Sequence, residues 1–184
     1  MMNTRKKLTA QDWLALALDT LDSHGIHKVN VEYLARELGV TKGSFYWHFK
    51  NRDALLKAML QYWVENLTTN VIDRSTEHSE DAKDSLFTLI TIVTDENMGR
   101  YEAAIRAWAT HNQIAQSILQ QVDKQRITYI QSLFKKMGFD KADAEIRARL
   151  LLYYQVSETG IFLNDSKAKR KKLLKQRFDL LTRK

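Results

Sequence analysis

The sequence predicts an all-α fold, and three observations predict it. Its 184 residues include no proline and only six glycines, so long helices run with few interruptions. Apolar residues recur at three- and four-residue spacing along most of the chain. Thr or Asn residues able to accept a hydrogen bond from a helix N-terminus stand ahead of several of these runs. The length suffices to bury a real core, as one large domain or as a small one fused to a larger.

At Leu8-Thr9-Ala10-Gln11-Asp12-Trp13, Thr9 caps the first helix, Asp12 occupies the N3 position of a capping box, and Leu8 and Trp13 are spaced as a hydrophobic staple. Leu14, Ala17, Leu18 and Leu21 give this helix one buried face, and Gly25 ends it in a left-handed conformation. After a link over residues 26–29, Asn30 caps a second helix with Val31, Leu34, Ala35 and Leu38 on one face, and Gly39-Val40 forms the turn. Thr41 caps a third, very short helix. Phe45 and Phe49, four residues apart, share its inward face, while Gly43, Ser44, Tyr46 and Trp47 project elsewhere. Two short helices about a glycine-containing turn make a helix-turn-helix.

Asn51 caps a long helix running to about residue 72, with Leu55, Leu56, Met59, Tyr62 and Trp63 on or near one face, which bridges two regions. The polar stretch 73–83 is the expected loop, with further breaks at 95–100 and 111–113. Helices are expected over about 84–95, 98–111, 114–137, 141–163 and 167–182. The stretch 146–163 is apolar nearly all round, which predicts burial on two sides. Ser157 and Gly160 are small enough for another helix to approach closely, and Leu173, Leu174, Phe178 and Leu181 stripe the last helix. These features predict a four-helix homodimer interface from the segments 141–163 and 167–182.

Absence of cysteine excludes disulfides and thiolate chemistry and fits a reducing compartment. No uncharged run approaches the length of a membrane span, and no apolar segment follows the basic start, so a cytoplasmic location is expected. The formal charge of +7 is unevenly placed: residues 167–184 carry nine basic side chains against one acid, leaving 20 basic and 21 acidic groups elsewhere. The tail therefore dominates the net charge, and inference must rest on local clusters. No glycine-rich phosphate loop, nucleophile elbow, zinc spacing or paired-carboxylate context appears. His24 and His27 sit in an expected turn without further ligands nearby. An enzyme is not expected, and neither a cofactor nor a metal is called for.

The local cluster of interest is LGVTKGSFYWHFKNRDALL, residues 38–56. A helix that reads DNA must offer side chains to base edges in the major groove and donors to the phosphates on either side. Thr41 and Lys42 lie at the start of the short helix, Lys42 is long enough to reach guanine O6 and N7, and Ser44 can donate or accept. Gly43 lets the backbone come close. Tyr46, His48, Lys50 and Arg52 offer phosphate donors, and Trp47 offers a flat apolar surface to a sugar or a thymine methyl.

The run VNVEYLARELGVTKGSFYWHFKNRDALLKAML resembles the DNA-binding region of the TetR family of transcriptional regulators, in an apolar helix ending Leu-Gly-Val, a short helix ending Tyr-x-His-Phe and a Lys/Asn-rich junction before Leu-Leu. The resemblance covers roughly residues 8–63. It implies a helix-turn-helix DNA-binding domain over 1–52 and a helical regulatory and dimerisation domain over 53–184. It further implies base reading by Lys42, Gly43 and Ser44, and backbone contacts with some base contact from Tyr46, Trp47 and His48. Lys50 or Arg52 would anchor the start of the fourth helix, and Arg5, Lys6 and Lys7 would form an arm on DNA. Glu32 departs from relatives that carry polar or basic base-contacting residues there. The expected protein is a homodimeric repressor that binds a palindromic double-stranded operator and is released by a small-molecule effector. Trp63, Trp108, His111, Tyr129, Tyr154 and Glu158 are the candidate pocket residues. The alternative is a DNA-binding protein of the same fold governed by a protein partner or by no ligand.

Overall fold

Thr9 donates its backbone N–H to the Asp12 carboxylate at 2.7 Å, and the Thr9 hydroxyl accepts from the Asp12 N–H at 3.3 Å. This reciprocal capping box opens α1, Ala10–His24, in the computed structural model, which describes residues 8–77, 79–96, 99–158, 161 and 165–184. The backbone leaves α1 through Gly25 at φ 77°, ψ 170°, a region open essentially to glycine alone and outside the left-handed helical well that the sequence predicts. A single 3₁₀ turn, Ile26–Lys28, follows.

Asn30 accepts from the Tyr33 N–H at 2.9 Å and starts α2, Val31–Glu37. The turn is a Schellman motif: Val40 N–H donates to Ala35 O and Gly39 N–H to Arg36 O, with Gly39 at φ 66°. Then comes α3, Lys42–Tyr46, where Thr41 holds the N-cap position without a side-chain hydrogen bond. Asn51 accepts from the Ala54 N–H and starts α4, Arg52–Val64.

The helix predicted to end near residue 72 runs on. A π-helical turn, Glu65–Thr69, joins α4 to α5, Asn70–Thr76. Tertiary bonds carry the polar end of α5 past the expected loop start: Arg74 pairs with Glu96, and Ser75 shares a hydrogen bond of 2.6 Å with the Tyr129 hydroxyl. The remaining helices are α6 (Ala82–Asp95), α7 (Glu102–Ala109), α8 (Gln113–Lys136), α9 (Lys141–Glu158) and α10 (Lys167–Thr182). No strand occurs among the described residues. Residues 5–7, Gly160 and most of the stretch after residue 158 in the predicted 141–163 helix lie outside the described residues.

Two apolar clusters organise these helices. The first gathers Trp13, Leu18, Leu34, Phe45, Leu55, Met59 and Trp63 with Ile105 of α7 and Leu119 and Val122 of α8. The second gathers Val71, Leu86, Ile90, Phe134, Ala148 and Leu151 with Leu174, Phe178 and Leu181 of α10. At about 36 Å long, α8 is the strut that feeds both. The stripe of α10 was expected at a dimer interface; Leu174, Phe178 and Leu181 are instead buried within their own chain, against α6 among others. The apolar girth of α9 divides similarly. Ala148, Leu151 and Leu152 are buried, while Ile146, Leu150, Tyr153 and Tyr154 remain exposed.

Candidate nucleic-acid interface and regulatory cavity

Packing makes α3 two-sided. Phe45 is fully buried and meets Trp13 of α1 edge-on at 5.4 Å and Phe49 at the same distance. One aromatic cluster thus clamps the short helix, which five residues of intrinsic propensity could not hold alone. Tyr46 and Trp47 point the other way and are 60% and 88% exposed. Thr41, Lys42, Gly43 and Lys50 are exposed as well, and Ser44 and His48 are half-buried. A Cβ at Gly43 would meet only the Thr41 hydroxyl, at 3.6 Å, so internal packing does not require the glycine. Lys42 Nζ donates to Glu32 Oε1 at 2.7 Å across the turn.

Arg52 is placed differently from its neighbours. Its guanidinium donates to Val29 O at 2.6 Å and Ile26 O at 2.8 Å, tying α4 to the 3₁₀ turn. Ile26 O also accepts from the Val29 N–H at 3.2 Å within the turn, so Arg52 adds a second donor there and supplies one to Val29 O, beyond the turn's end.

A cavity open to solvent lies between the π turn, α5, α6, α8 and α9, with Glu102 of α7 at its edge. Its walls are mainly aliphatic, including Leu67, Val71, Leu89, Ile130 and Leu152. A charged network forms one end. Arg126 donates to Glu102 at 3.0 Å and to the Thr68 hydroxyl at 2.9 Å, and stacks on the Trp63 ring. Glu102, 3% exposed, also pairs with Arg106, which forms a two-pronged bridge to Asp123 at 2.6 and 3.0 Å. Burial works against the Arg106 charge, but Asp123 and Glu102 outweigh it and hold that group above its usual pKa. Gln155 also lines the cavity, and its buried Nε2 finds no acceptor among the described residues.

Of the six sequence candidates for an effector site, Tyr129 lines this cavity. Trp63 is fully buried beneath Arg126, and Trp108 lines a separate crevice with Leu56 and Leu60 of α4. His111 is exposed in the turn between α7 and α8. Tyr154 and Glu158 face α10: Arg177 lies 4.0 Å from the Tyr154 ring and 3.8 Å from the Glu158 carboxylate. The polar groups of the cavity were missed, although they left a signal. Arg126 falls four residues after Val122 and four before Ile130, and Glu102 falls three before Ile105, so each is a charge on an otherwise apolar stripe.

A helix-turn-helix held against a helical core that contains a cavity defines the class of protein. Residues 14–59 match the family model described as "Bacterial regulatory proteins, tetR family". The similarity to this family thus lies in the N-terminal third of the chain, over the helix-turn-helix. The class A tetracycline repressor from transposon 1721 of Escherichia coli is 33% identical over 69 residues, a match covering 38% of this chain and 32% of that protein. The chain thus spans about a third of the length of that relative. A transcriptional regulator from Rhodococcus sp. Rha1 superposes with a TM-score of 0.72 at 20% identity, over 95% of this chain and 94% of its own. AibR, whose structure contains isovaleryl coenzyme A and operator DNA, superposes with a TM-score of 0.73 at 16% identity, over 96% and 98% of the two chains. At these identities the structural likeness establishes the fold. No described helix is long and apolar enough to cross a membrane.

Proposed function

We propose that this chain is a dimeric transcriptional repressor that binds a palindromic operator through α3 and is released from it by a small-molecule effector. The observation that carries the DNA-binding reading is the two-sidedness of α3: Phe45 and Phe49 hold it from within, while Trp47 and most of Tyr46, which touches Phe45 with one ring edge, stand exposed beside Lys42, Gly43 and Lys50. Large exposed aromatics beside basic groups fit the sugars, phosphates and base edges of a groove. In this reading Lys42, Gly43 and Ser44 meet bases, and Thr41, Tyr46, Trp47, His48 and Lys50 hold the backbone. Arg52 positions α4 instead of contacting phosphate.

The cavity supports an effector. A regulator of this fold that answers only to a protein partner would need no such space. Aliphatic walls with Arg126, Tyr129 and Gln155 at hand suit an apolar molecule carrying a hydrogen-bond acceptor. AibR, the structural neighbour, holds an acyl coenzyme A together with operator DNA. Two links join the cavity to the DNA-binding helices. Arg126 grips the π turn continuous with α4, and Arg100 and Tyr101, leading into α7, bond to Asp19 and Asp22 of α1. An effector preferring one arrangement of these links lowers DNA affinity by its differential affinity, and DNA weakens the effector reciprocally.

The test is to sequence genomic fragments retained by the purified chain, then to titrate those fragments with small molecules that raise its melting temperature. Release of a specific fragment by a stabilising molecule is expected. Equal retention of all fragments overturns the DNA reading, and release by none of the stabilising molecules overturns the effector reading.

A further inference from the structure

Glu32 and Lys42 are ten residues apart, one near the start of α2 and the other at the start of α3, yet their charged groups touch at 2.7 Å. Both side chains are more than half exposed. The hydrogen bond from Lys42, and then the backbone N–H of Glu32 itself, hold the carboxyl below its usual range, so it is charged near neutral pH. An exposed ion pair adds little to folding, and a carboxylate on a surface facing phosphates opposes binding. Neither stability nor general DNA affinity accounts for a glutamate here.

We infer that Glu32 and Lys42 form one base-reading unit that selects a G·C pair, with Lys42 donating to guanine O6 and N7 and Glu32 accepting from the cytosine N4 amino group. The inference rests on the reading of α3 as the major-groove helix. The hydrogen-bond inventory fits. An ammonium has three donors; Glu32 takes one, and the two left over match the adjacent acceptors of guanine. Glu32 Oε1 is engaged by Lys42, and a carboxylate with about four acceptor sites, more than half exposed here, retains capacity for the neighbouring amino group. An A·T pair presents acceptor, donor and acceptor in alternation, so two lysine donors find no adjacent acceptors, and the thymine methyl would confront a carboxylate. Lys42 also neutralises the charge that would otherwise exclude a carboxylate from this surface.

Binding-site selection from a random duplex library tests the inference with the full chain and its Glu32→Gln and Glu32→Ala variants, whose exposed position leaves the fold intact. The wild type is expected to enrich a site with one strongly preferred G·C pair in each half. Both variants are expected to lose that preference by roughly tenfold or more while the rest of the site is unchanged. Glu32→Ala should also bind bulk random duplex more tightly, with a steeper salt dependence, because Lys42 is freed for phosphates. The same G·C preference in all three proteins overturns the inference, as does a wild-type site without a dominant G·C pair, and both leave the DNA-binding reading standing. Enrichment of no sequence by the wild type overturns that reading together with this one.

Discussion

At the scale of single residues, neighbours in sequence do opposite work. Trp47 is almost wholly exposed, whereas Arg52 donates to two carbonyls at the 3₁₀ turn. Trp47→Ala should therefore leave stability within about 0.5 kcal/mol and weaken binding to every duplex, which urea denaturation and gel-shift titration check side by side. Tyr46→Ala should weaken binding to all sequences likewise. Arg52→Ala should instead destabilise the fold by about 1–3 kcal/mol, since Val29 O loses the guanidinium donor and Ile26 O is left with the Val29 N–H alone. Arg52→Lys should restore little, because an ammonium lacks the planar fork that spans both oxygens.

At the scale of elements, the contacts of interest join α4 and its π turn to α8, and α7 to α1. Thr68→Val keeps the shape of the side chain and removes the oxygen that accepts from Arg126. A loss of about 1–3 kcal/mol in denaturation is expected, along with a weaker effect of any effector on operator binding. The link between α7 and α1 titrates. Burial first, and then the hydrogen bond to Asp19, push the Tyr101 phenol up to about 12. An unfolded tyrosine loses its proton near pH ~10, so the folded chain binds more protons between that value and about 12. The stability Tyr101 contributes is intact below this window and falls as pH rises through it. Tyr101→Phe should flatten that decline relative to the wild type, as read from melting temperatures across the same range.

At the scale of the whole molecule, reading a palindrome requires two copies of α3 roughly 34–36 Å apart. The α9 face carrying Ile146, Leu150 and Tyr153 is exposed in the single chain and is one apolar surface on which the proposed dimer would pair. Leu150→Glu should yield a folded monomer in sedimentation with sharply reduced operator affinity. Here the limits of the linear pattern are plain. The caps at Thr9, Asn30 and Asn51 and the inward pair Phe45 and Phe49 were legible because their signals lie within four residues. The stripe of α10 was equally legible as apolar, but whether it faced a partner or its own α6 depended on a segment far away in the sequence.

Sequence by itself determined the helical class, most helix starts, the helix-turn-helix and the outward set on α3, because capping, turn conformation and helical periodicity are short-range physics. Only the tertiary structure decided which polar groups meet. It placed Arg126 on Thr68 and Glu102, turned Tyr154 and Glu158 toward Arg177, drew Arg52 onto backbone carbonyls and set Glu32 against Lys42. A buried or paired charge is stabilised by groups that arrive from distant segments, and the register of those segments is settled by packing across helices instead of along one.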